Sequence, residues 1–156
     1  MVCALVLLAC SPTPTNECVA YTVSSNTDLQ SPVVSFRNDV VPIFVQSCAF
    51  SQCHGTAGGG NNGIFLGSKT STFDPGAVRS ALVGVPSTEL PTMLFVTSSD
   101  PFKSYLMHKM DSDLCTLHAQ CTGGTCGQSM PKDNATLAPS VRDVIRRWIA
   151  QGAKDG

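Results

Sequence analysis

The chain has 156 residues, with 10 Lys and Arg against 11 Asp and Glu, a net charge of -1, and only 13% charged residues. That length suits one domain with a sizeable core, and the sparse charge leaves no basic stripe to neutralise phosphates, which excludes nucleic acid as a partner. The 8 cysteines are heavy usage for a reducing cytosol and point to export.

Residues 1–10, "MVCALVLLAC", form an apolar run too short to span a bilayer and are followed by polar, proline-rich sequence, the pattern of a signal peptide. Its end, Leu7-Leu8-Ala9-Cys10, resembles a bacterial lipobox, with Cys10 the lipidated first residue of the mature chain. An ordinary secretory leader cut nearby is the alternative. No Lys or Arg precedes the run, which suits a leader with a truncated or misassigned start. More than one acyl chain on Cys10 makes a stable membrane anchor.

Residues 11–32, rich in Ser, Thr, Pro and Asn, read as a flexible linker pinned at Cys18, and residues 33–156 as the folded domain. Phe36, Val40, Ile43, Phe44 and Cys48 recur at helical spacing, predicting an amphipathic helix whose first turn is restricted by Pro42. "GTAGGGNNG" is loop by composition, and "GIFLGS" suits a short extended segment. "GAVRSALVG" reads as a short helix with Val78, Leu82 and Val83 on one face and Gly84 in the cap position. "DPFKSYLMHKM" reads as a second helix, with Asp100 as N-cap and Pro101 at the first helical position.

Residues 112–134 dissolve into Cys, Gly, Thr and Ser. The closing segment carries Val141, Val144, Ile145, Trp148 and Ile149 as an apolar helical stripe, stopped by Gly152. Beside that stripe Arg142, Arg146 and Arg147 read as a solvated helix surface. The expected fold is mostly α, with long loops that need something to pack against.

"SCAFSQCHG", residues 47–55, separates Cys48 from Cys53 by four residues and places His54 directly after. A haem held by two thioethers needs two sulfurs beneath its vinyl groups and an imidazole beneath the iron, which one short Cys-x-x-Cys-His segment supplies. Here the spacing is longer but the Cys-His adjacency is kept. The other pair of the same spacing, Cys121 and Cys126, is followed by Gly127, so one haem at most is expected. Other readings are a Cys48–Cys53 disulfide with a spectator His, and a structural zinc site assembled with Cys115, Cys121, Cys126, His108 and His118. A thiol nucleophile paired with His54 is weaker, since adjacent side chains rarely face each other.

Residues 36 to 153 resemble a small monohaem cytochrome c of exported bacterial proteins. The resemblance rests on Ile43 and Phe44 before the first cysteine, Cys53-His54-Gly55, and Gly63-Ile64-Phe65-Leu66. It extends to Ser104-Tyr105-Leu106 with Lys109, to Cys126-Gly127-Gln128-Ser129-Met130-Pro131, and to a final helix running from Ile145 to Ala153. It departs from the family in its Cys-x4-Cys-His spacing. It implies a cytochrome c-like helical domain wrapped around one covalent haem c, with His54 and Met130 as iron ligands and Cys48 and Cys53 as attachment points. Met107, His108, Met110 and His118 are rival sixth ligands, Met110 lying on the apolar stripe and His108 off it.

The resemblance further implies that the terminal helices cross near the haem edge, with Phe44 against Trp148, and that Lys109 and Lys132 border that edge. The implied function is electron transfer to redox protein partners rather than catalysis. The protein is expected to be a monomer in the periplasm or anchored at the outer membrane of a Gram-negative bacterium. The alternatives are a haem peroxidase or gas sensor with an open sixth site, and a haem-free, disulfide-stapled surface lipoprotein. The remaining cysteines, Cys18, Cys115, Cys121 and Cys126, allow three connectivities; one bridge inside the 115–126 loop, with the last cysteine tied to Cys18, is preferred.

Overall fold

The computed structural model describes residues 18–58 and 63–156. The expected signal peptide and lipobox at 1–10, Cys10 included, lie outside the described residues, as do the first residues of the linker. Among the described residues the regular structure is helical, with only isolated bridges (Val83 to Val96 and Pro86 to Leu94) in place of a sheet, but the helices are short and most residues lie in turns and loops. No helix among them is long and apolar enough to cross a membrane.

The first helical segment begins as a π-turn, Phe36–Val40, and continues as α1, Val41–Ser47. Ser35 and Asp39 bracket its start reciprocally: the Ser35 hydroxyl accepts from the Asn38 N–H at 3.2 Å, and the Asp39 carboxylate accepts from the Ser35 N–H at 2.8 Å. Pro42 falls in the first turn of α1, directly after the π-turn.

α2, Pro75–Ser80, is capped by Asp74, whose side chain accepts from Gly76 N–H at 2.9 Å. It ends before Gly84, which sits beyond the helix and donates its N–H to Val96 O at 3.0 Å. The expected cap glycine thus serves the Val83–Val96 bridge instead.

The helix expected over "DPFKSYLMHKM" is divided. Asp100 caps a 3-10 turn, Pro101–Lys103, as its chemistry predicts. Ser104 is then extended and fully buried, its hydroxyl donating to Asp100 O at 2.8 Å and accepting from Thr97 N–H at 2.9 Å. α3 restarts as Tyr105–Asp111, and its first N–H groups, of Tyr105 and Leu106, donate to Leu94 O and Phe95 O. Those donors have no partner inside the helix, so the 94–95 segment fixes where α3 begins.

α4, Pro139–Ala150, has Pro139 in its first turn and buries Ile145, Trp148 and Ile149. Trp148 meets Phe36 with ring centroids 4.9 Å apart, and Phe36 in turn meets Phe44 edge-on at 6.2 Å. The expected Phe44–Trp148 contact is therefore bridged by Phe36, which sequence spacing placed on the same stripe without showing which ring lay nearer. Burying such rings is worth ~3–5 kcal/mol each against alanine.

Two further expectations are corrected. Arg142 and Arg146 are 5% and 1% exposed rather than solvated. Both pair with Asp111 of α3, and Tyr21 lies over both guanidinium groups, at 4.3 Å from Arg142 and 5.2 Å from Arg146. A charge paired and stacked in this way tolerates burial that an isolated one does not. The described part of the linker, residues 18–32, has no regular structure but is tied to the domain. Cys18 is bridged to Cys115, Tyr21 N–H donates to Asp113 at 3.1 Å, and Arg147 and Gln151 of α4 donate to the carbonyls of Asp28 and Pro32. Composition foresaw the missing helices and strands but not these long-range contacts.

Candidate functional site

A cavity of about 520 Å³ opens between α1, α3 and the loops that follow them. Cys48, Cys53, His54 and Met130 all line it, although they come from segments more than 70 residues apart. Its size lies within the ~300–1,000 Å³ usual for ligand and cofactor pockets. Phe44, Ile64, Leu66, Leu82, Phe95 and Leu106 make the wall predominantly apolar.

The Cys-x4-Cys segment resolves its extra length as a turn. Cys48 caps α1, its N–H donating to Phe44 O at 2.8 Å, and Ala49 follows buried. The chain then turns back on itself: Cys53 N–H returns to Phe50 O at 2.8 Å, Gly55 N–H to the same carbonyl at 3.0 Å, and His54 N–H to Cys48 O at 3.2 Å. The surplus residues are exposed while the ends of the segment are drawn together. Phe50 is covered on one side by Lys69, whose ammonium lies 3.4 Å from the ring centre and donates to Gln46 O at the end of α1. Gly55 passes so close to Ala49 that a Cβ would lie 2.4 Å from its carbonyl oxygen.

His54 is half-buried, and its Nδ1 lies 2.8 Å from Ile64 O. A carbonyl only accepts, so Nδ1 carries a proton, and in the neutral ring that tautomer keeps the lone pair on Nε2, the nitrogen then able to bind a metal. Leu66 N–H donates to His54 O at 2.9 Å, so the 64–66 segment holds the histidine from both sides. The expected extended segment has no sheet partner and does this work instead. Sequence reading missed this role of Ile64, which a backbone carbonyl leaves no signal of.

Among the described residues the disulfides are Cys18–Cys115 and Cys121–Cys126, which selects one of the three connectivities that the sequence left open. Cys48 and Cys53 keep their thiols. Burial pushes the Cys48 thiol up to about 11, with Cys53 adding to the rise and Lys69 opposing it. At neutral pH Cys48 is thus the protonated thiol.

Met130 sits half-buried in the loop following Cys126, its N–H donating to Lys109 O at 2.7 Å. Among the rival ligands, Met110 also lines this cavity, whereas Met107 and His108 line a separate one of about 220 Å³ with Tyr21, Asp111, Asp113 and Arg146. His118 lines neither. Lys132 is exposed at the rim as expected, but Lys109 turns inward, its side chain 11% exposed. Glu89, which no motif singled out, lines the cavity 3.6 Å from the Lys109 ammonium. Among the described residues no group of three or more His, Cys, Asp and Glu is arranged to hold a metal ion, so the zinc constellation is not assembled.

Two thiols thus flank a turn, an oriented imidazole follows them, and a thioether shares their apolar cavity. The chain matches no family model, no curated protein and no solved structure.

Proposed function

We propose that the protein is an electron-transfer cytochrome c, with haem attached through Cys48 and Cys53 and ligated by His54 and Met130. The observation that carries this reading is the convergence of those four side chains on one apolar cavity. When bound, such a group supplies a reversible one-electron iron couple.

The chain's own residues divide the remaining tasks. Ile64 O keeps the His54 ring turned and its Nδ1 protonated, which strengthens Nε2 as a donor. The Met130 sulfur is a soft ligand that favours the reduced iron, and the apolar walls from Phe44, Leu82 and Phe95 disfavour additional positive charge in the same direction. The helices at the two ends of the domain, joined through Phe36 and Trp148, support the wall that Phe44 contributes. The same proposal takes the chain to be exported and held at a bacterial membrane through Cys10, working as a monomer with redox protein partners.

The test is expression of the full chain alongside a c-type haem attachment system. Covalent haem should survive denaturing electrophoresis, and the tryptic peptide containing Cys48, Cys53 and His54 should gain the mass of one haem. An unmodified peptide defeats the proposal. If covalent haem is present but the reduced protein binds carbon monoxide readily, the sixth position is open and the protein is a ligand-binding haem protein instead.

A further inference from the structure

Lys109 reaches the Met130 loop from α3 and grips it at three places. Its ammonium donates to Cys126 O at 2.7 Å and to Gln128 O at 3.2 Å, and its own backbone carbonyl accepts the Met130 N–H at 2.7 Å. The third direction of the ammonium faces Glu89 at 3.6 Å. One turn earlier on the same helix, Tyr105 OH donates to Cys126 O at 3.0 Å.

The loop is built to receive this grip. Gly127, between the two gripped carbonyls, has φ +71, and a Cβ there would lie 3.3 Å from the Lys109 ammonium. Only glycine adopts that conformation without cost, so the backbone is free to present both carbonyls to one side chain. The Cys121–Cys126 disulfide anchors the loop on one side only, and Thr125, Gly127, Gln128 and Ser129 offer no apolar side chain to pack.

We infer that Lys109 is a positioning residue that holds the Met130 thioether at the sixth position, and so sets how tightly that position is closed. This rests on the reading of Met130 as a haem ligand. A neutral thioether binds weakly and does not by itself order a polar, glycine-containing loop, whose freedom has to be removed by other bonds. An ammonium bonded to two carbonyls does so with charge-assisted hydrogen bonds, the stronger class. Lys109→Met keeps an unbranched side chain one atom shorter and deletes every donor, leaving Cys126 O with Tyr105 alone and Gln128 O without its bond from Lys109.

The experiment compares the haem-loaded full chain with Lys109→Met and Lys109→Arg, reading covalent haem content, the ferric spin state, and the rate at which carbon monoxide binds the reduced protein. Haem content should be equal throughout. Lys109→Met should raise the carbon monoxide rate at least about tenfold, since either of the two charged hydrogen bonds it loses is worth roughly that factor, and should shift ferric protein toward high spin. Lys109→Arg, which retains charged donors, should restore most of the wild-type behaviour. Equal rates and spectra in wild type and Lys109→Met overturn the inference. A wild type that already binds carbon monoxide readily overturns the reading of Met130 itself. If Lys109→Met does not accumulate, Lys109→Gln is scored by the same rate: an increase supports the clamp and an unchanged rate overturns it.

Discussion

Arg146 on α4 and Asp111 at the end of α3 are joined by one guanidinium nitrogen that donates to both carboxylate oxygens at 2.9 Å. Arg142 donates to the same carboxylate from one turn earlier, and all three side chains are under a tenth exposed. Asp111→Asn takes from two buried guanidinium groups the carboxylate they share, leaving Arg146 only the longer approach to Asp143 at 3.6 Å. Removing one partner of such a pair costs ~3–5 kcal/mol, so the urea midpoint should fall steeply with an unchanged slope. A loss below ~1 kcal/mol would mean that water reaches the pair.

Gly55→Ala should damage the site more selectively. The added Cβ meets a backbone carbonyl, Ala49 O, at 2.4 Å, and a backbone cannot swing aside as a side chain does. Overpacking of this kind costs ~1–3 kcal/mol, and the residue displaced first is the adjacent His54. Covalent haem per chain should drop while the remote Cys18–Cys115 bridge stays formed, measurable by haem staining and thiol titration.

His108 predicts a pH dependence. Its Nδ1 is 2.8 Å from Asp113 and its Nε2 3.2 Å from Phe102 O, so both nitrogens face oxygen acceptors. The bond to Asp113 raises the imidazole above its ordinary 6.5, against the opposing effect of burial; Asp111 adds to the rise, and Arg146 and Tyr21 share the same small cavity. The folded state therefore holds the proton more tightly than the unfolded chain. Its contribution is complete below 6.5 and is lost as pH rises through the raised folded value. The stability difference between wild type and His108→Gln should be largest in acid and shrink as pH rises through the raised folded value, followed by urea melts from acid to mildly alkaline pH.

The Cys18–Cys115 bridge closes 97 residues of sequence separation. Replacing both cysteines with serine should cost ~2–5 kcal/mol, because the unfolded chain regains the freedom that the cross-link removed. It should also release the strap over Arg142 and Arg146, so that chymotrypsin cuts at Tyr21 in the variant and spares it in the wild type. Equal protection would mean that the stacking and the Asp113 bond suffice to hold the strap.

Helical periodicity located α1 and α4 because each buries one stripe, and cap chemistry located Asp100 because an N-cap acts within three residues of itself. Such local rules failed where a distant partner decided the outcome. Ser104 interrupts a helical pattern because its hydroxyl is satisfied by the 97–100 loop. Arg142 and Arg146 have the spacing of a solvated face, yet Asp111 and Tyr21 cover them from elsewhere in the chain.

The same division holds at the site. Sequence by itself determined the order Cys48, Cys53, His54 and the presence of Met130 in a Cys-Gly-rich loop, since adjacency and residue type are covalent facts. Tertiary structure alone decided that these groups share one cavity and that the surplus of the Cys-x4-Cys segment is taken up in a turn closed on Phe50 O. It also decided that Ile64 O aims the imidazole and that Lys109 turns inward to the Met130 loop. Those outcomes depend on hydrogen bonds to backbone carbonyls, groups that every residue carries and no sequence pattern marks.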